Sequence, residues 1–82
     1  MDKVLITLII PGLGEKYDVF IPAFLKVKEV IPLLVEILRD MSHQNYISSG
    51  TEIICSNDQM ILEPDKTISE CCVQNGEKLF LF

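Results

Sequence analysis

The chain is 82 residues long, 49% hydrophobic and 23% charged, with a formal net charge of −5. That length suits a single domain spanning residues 1–82, and such a balance belongs to a folded chain rather than a disordered one. The acidic excess, with no run of Lys or Arg, argues against nucleic acid and anionic membrane as partners, since both require clustered positive charge.

Lys3 to Ile10 is rich in Val, Ile, Leu and Thr and reads as a strand. Its alternation places Val4, Ile6, Leu8 and Ile10 on one face and Leu5 and Ile9 on the other. The apolar run is too short for a secretory signal, and no segment approaches the ~20 apolar residues of a membrane span. Pro11 to Lys16 holds two glycines and a proline and reads as a turn. Tyr17 to Ile21 follows as a second strand, with Tyr17, Val19 and Ile21 on one face and Asp18 and Phe20 on the other, so the pair should form a hairpin.

Lys26 to about Asp40 reads as the one helix, with Val27, Ile31, Leu34 and Leu38 on its buried face. Pro32 lies within this stretch and either kinks the helix or starts its regular part. Ser42 to Gly50 reads as a polar loop. Thr51 to Cys55 reads as a third strand, Met60 to Leu62 as a short fourth, and Lys78 to Phe82 as the last. Between the last two, Thr67 and Glu70 have the spacing of a capping box at the head of a single helical turn. The expected fold is therefore α+β, a mixed sheet of four to five strands with one helix packed on one face, in the order ββαβββ.

Catalytic, cofactor and metal chemistry find little support. Gly12 and Gly14 join two strands rather than a strand and a helix, so they read as a turn and not a phosphate loop. His43 is the sole histidine and lies in a polar loop near Ser42 and Ser49, but nothing marks out a nucleophile, base and orienting acid as a set, so it reads as a surface histidine. Asp58, Glu63, Asp65 and Glu70 are spread over turns, as a solvated acidic edge would be. Cys55, Cys71 and Cys72 lack Cys-x-x-Cys spacing, and a bond between the adjacent Cys71 and Cys72 would be strained, so reduced thiols in the cytoplasm are expected.

One pattern points to binding. If Ile6, Leu8, Val19, Ile53, Leu79 and Leu81 face the helix, then Leu5, Ile9, Phe20, Ile54, Phe80 and Phe82 face the other way. Six large apolar side chains on a face that should meet water predict a protein-interaction surface, for a partner or a second copy.

The element order is that of the β-grasp fold. Thr67-Ile68-Ser69, Val73, Leu79 and Leu81 are similar in kind and spacing to the C-terminal third of ubiquitin. Two segments, Val27 to Ile31 and Glu70 to Leu79, resemble the YukD/EsaB family, small ubiquitin-like proteins encoded with bacterial type VII (ESX-like) secretion systems. That resemblance implies a cytoplasmic, non-enzymatic accessory or regulator of type VII secretion. It also implies recognition through the sheet face around Ile54 and Phe80. Two alternatives remain: an interaction or self-association module of an unrelated complex, and a processed modifier or sulphur carrier. The second requires a flexible Gly-Gly tail, whereas the sequence reads Leu81-Phe82 at that point, so conjugation is not expected.

Overall fold

A computed structural model describes residues 2–42, 47–48 and 50–82. His43, read above as a surface loop residue, lies outside the described residues. The elements are β1 (Lys3–Ile10), β2 (Glu15–Pro22), α1 (Val27–Met41), β3 (Ile54–Ser56) and β4 (Glu77–Leu81). They form a four-stranded sheet in the order β2-β1-β4-β3. The β1–β2 and β3–β4 pairs are antiparallel, while β1 and β4 run parallel at the centre.

The hairpin forms as its sequence predicts. Gly14 closes the turn at φ +65, and its N–H donates to the Ile10 carbonyl at 3.0 Å. Val4, Ile6, Leu8 and Ile10 all point into the core. They meet Val19 and Ile21 of β2, Leu79 and Leu81 of β4, and one stripe of α1.

That stripe is Val27, Val30, Leu34 and Leu38. Val30 takes the place expected for Ile31, which is only partly buried against the core. Pro32 neither starts nor ends the helix. It lies inside α1 and is exposed, so the Lys28 carbonyl that loses its donor belongs to another exposed residue and can bond water.

The start of α1 is satisfied by the segment that follows β3. The Val27 N–H donates to the Lys66 carbonyl at 2.9 Å and the Lys28 N–H to the Pro64 carbonyl at 3.1 Å. The Glu29 side chain turns back to accept from the Lys26 N–H at 2.9 Å. Three of the donors that a helix N-terminus leaves open are thereby paired without a Ser, Thr, Asn or Asp cap.

Three expected elements are reduced. The third strand, expected over Thr51 to Cys55, is the shorter Ile54–Ser56. The fourth strand shrinks to a single bridge between Cys55 and Ile61, flanked by bonds from Leu62 N–H to the Ile54 carbonyl and from Ser56 N–H to the Met60 carbonyl. The tight turn before it, with Gln59 at φ +65, and Pro64 just after it leave no length for a ladder. The observed strand order is therefore ββαββ. The expected helical turn at Thr67 is a series of turns, although its capping box forms: Thr67 N–H donates to Glu70 Oε1 at 2.8 Å and Glu70 N–H to Thr67 Oγ1 at 3.0 Å.

Candidate functional site: the outer face of the sheet

Because β1, β2 and β4 are in register, their outward residues form rows across the sheet. Leu5 lies opposite Phe20. The next row holds Asp18, Thr7 and Lys78, and the one after it Lys16, Ile9, Phe80 and Cys55. Ile53 and Phe82 extend the pattern, exchanging backbone bonds of 3.0 Å in both directions.

The structure brings together most of the predicted surface and corrects one member. Phe20 is 63% exposed and Phe82 58% exposed, while Leu5, Ile9 and Phe80 are half-buried. Ile54 is fully buried and cannot belong to the interaction surface. Its register partner is Leu81, which faces the core, and directly paired residues share a face. The same phase turns Ile53 outward, where the sequence reading had placed it in the core. Cys55, not counted in the predicted surface, packs into the face beside Phe80.

The six expected side chains do not make one continuous patch. Thr7 Oγ1 donates to Asp18 Oδ1 at 2.9 Å, and with Lys78 beside them these residues draw a polar row across the sheet. On one side stand Leu5 and Phe20. On the other stand Ile9, Phe80, Phe82 and Ile53. Phe80 and Phe82 stack with ring centroids 6.5 Å apart and planes 18° apart, a spacing typical of favourable aromatic pairs. Next to them a depression of about 380 Å³ is lined by Cys55, Ser56, Asn57, Gln59 and the two rings. Its polar groups are uncharged, and its apolar floor can take a side chain from another protein.

Burial pushes the Cys71 thiol up, away from the reactive thiolate, and Cys71 lies off this face. Asp65 is held below its usual value by the hydrogen bond from Lys28, whose Nζ lies 3.0 Å away; Glu70 is lowered by its hydrogen bond with the Thr67 backbone. Both carboxylates serve local structure. Among the described residues no three His, Cys, Asp or Glu side chains converge on a common point. No helix among them is long and apolar enough to cross a membrane.

No family model and no curated protein matches the chain. Solved structures do. The EccD5 ubiquitin-like domain from Mycobacterium xenopi superimposes with a TM-score of 0.81 at 18% identity, over 100% of this chain and 94% of that one. The ubiquitin-like domain of the Mycobacterium tuberculosis type VII secretion system protein EccD1 gives 0.79 at 17% identity, over 99% and 98%. The fold is the ubiquitin-like β-grasp. A chain of the MycP5-free ESX-5 inner membrane complex also contains this fold, with a TM-score of 0.74 and 18% identity; the present sequence covers 21% of its length. Within a ubiquitin-like domain, the outer rows described above are the face of the sheet opposite the helix.

Proposed function

We propose that this ubiquitin-like domain is a non-enzymatic protein-binding module of a bacterial type VII (ESX-like) secretion apparatus, acting on its cytoplasmic side. The observation that carries the binding role is the Phe80–Phe82 stack at the end of β4, with Phe80 half-buried and Phe82 exposed, beside Ile9 and Ile53. Aromatic side chains grouped in this way are favoured as interface anchors, because they bury much area with few rotors to immobilise. The link to secretion draws support from two directions. Solved neighbours carry EccD and ESX-5 descriptions. Independently, the segments Val27 to Ile31 and Glu70 to Leu79 resemble YukD/EsaB proteins, which favours an accessory or regulatory role.

The test is affinity capture in a bacterium that carries a type VII system, with the native chain and a Phe80→Asp variant as baits. The native chain should retain a component of the apparatus. The variant should lose it while keeping its circular dichroism spectrum, since Phe80 is not part of the helix-side core. Equal retention by both baits would remove the sheet face from the reading. Capture only of proteins foreign to the apparatus would remove the secretion role.

A further inference from the structure

The two edges of the sheet are unlike. The β3 edge is covered by Met60 to Leu62 through the bonds described above. The other edge is β2, eight residues long, with β1 as its one strand neighbour among the described residues. The Leu5 N–H donates to Asn75 Oδ1 at 2.8 Å and its carbonyl accepts from the Gly76 N–H at 2.7 Å, so the backbone of Leu5 is used on the β4 side. By the alternation of an antiparallel ladder, the residues opposite Leu5, Thr7 and Ile9 turn their own backbone groups away from β1. Those residues are Phe20, Asp18 and Lys16. An edge of this length is a template for another strand unless something blunts it.

Charges usually do the blunting, and here one of each sign lies two positions apart. We propose that β2 pairs antiparallel with β2 of a second copy of this chain, on a two-fold axis through Tyr17, joining two sheets into one of eight strands. In that register Lys16 of each copy lies opposite Asp18 of the other, giving two hydrogen-bonded pairs and two opposite-charge pairs on the outer face. An axis through Asp18 would set that carboxylate against its own copy. An axis through Lys16 would oppose two ammonium groups, and one through Val19 would set Asp18 against Phe20. Only the Tyr17 register matches both charges. It also sets Phe20, which is 63% exposed, across from Gly14, where a side chain would meet nothing within 4 Å. The ring can lie over that bare backbone. The pairing residues share the outer face with Phe80 but lie at its edge, two strands away, and Phe80 takes no part in the pairing.

Charge reversal tests the pairing by sedimentation equilibrium at concentrations up to about 1 mM. The native chain should show a reversible monomer–dimer equilibrium. Lys16→Glu and Asp18→Lys should each weaken it by about tenfold or more, because each replaces two attractive pairs with two repulsive ones. The double exchange Lys16→Asp with Asp18→Lys should restore the dimer, which shows that the single variants fail by charge and not by misfolding. Phe80→Asp should dimerise like the native chain. A native chain that stays monomeric overturns the proposal. So does a double exchange no better than the single changes, or a dimer that Phe80→Asp abolishes.

Discussion

Replacing Ile54 with alanine should cost far more than the same change at Ile53. Ile54 is fully buried under α1, whereas Ile53 is 40% exposed. The substitution removes three carbons from a closed core, about 2.4 kcal/mol at ~0.8 kcal/mol for each buried methylene. The cavity left behind raises this to about 3–4 kcal/mol, within the usual range for a buried isoleucine. A domain of this size has a total stability of roughly 4–12 kcal/mol, so the change takes a large share of it. Ile53→Ala should stay within about 1 kcal/mol. Urea denaturation reads both directly, and in thermal melts Ile54→Ala should lower Tm by roughly 12–30 °C. Equal losses at the two positions, or a larger loss at Ile53, would refute the phase of β3. With it would go the outward placement of Ile53 and Cys55.

Two smaller perturbations test local devices. Asn75→Ala removes the side-chain acceptor that holds the Leu5 N–H and should cost about 0.5–1.5 kcal/mol in urea denaturation; no loss would show that water replaces it freely. Glu70→Gln keeps an oxygen for the Thr67 N–H but removes the titration. The folded-state pKa of Glu70 is lowered, so its ionised form stabilises the fold above the unfolded pKa and that contribution is lost as pH falls through the folded value. Tm of the native chain should therefore fall more steeply below about pH 5 than Tm of the variant; parallel curves would remove Glu70 from the acid response.

Most of the fold is legible in the sequence because β1 and β2 alternate cleanly and Gly14 marks the turn between them. In β1 the inward set Val4, Ile6, Leu8 and Ile10 leaves no second phase of equal quality. The segment from Glu52 to Ser56 is different. Two isoleucines stand side by side there, and either phase buries one and exposes the other. The tie is broken by β4, where Leu81 draws Ile54 to the core side. That information is non-local, and reading the segment by itself misassigned both residues. The same limit explains the fourth strand, since Met60 to Leu62 has a strand's composition and too little room for a ladder. The candidate face was half legible: the apolar members could be listed, but not the polar row that divides them. Asp18, Thr7 and Lys78 come from three strands and meet only through register.

The edge and the face also bear on each other through geometry. A two-fold axis perpendicular to the sheet keeps both outer faces on the same side. In a dimer joined through β2, five strand intervals separate β4 from its copy, about 24 Å at ~4.8 Å per interval. Two Phe80–Phe82 stacks would then lie on the same side of the joined sheet, turned from one another by its twist. A partner that presents two suitable side chains at that separation gains affinity from the second contact without any new chemistry, because the second binding event becomes intramolecular. An edge-paired dimer thus turns a single modest anchor into a spaced pair. The separation is set by the sheet itself, so it distinguishes partners by the spacing of their own binding elements as well as by their composition.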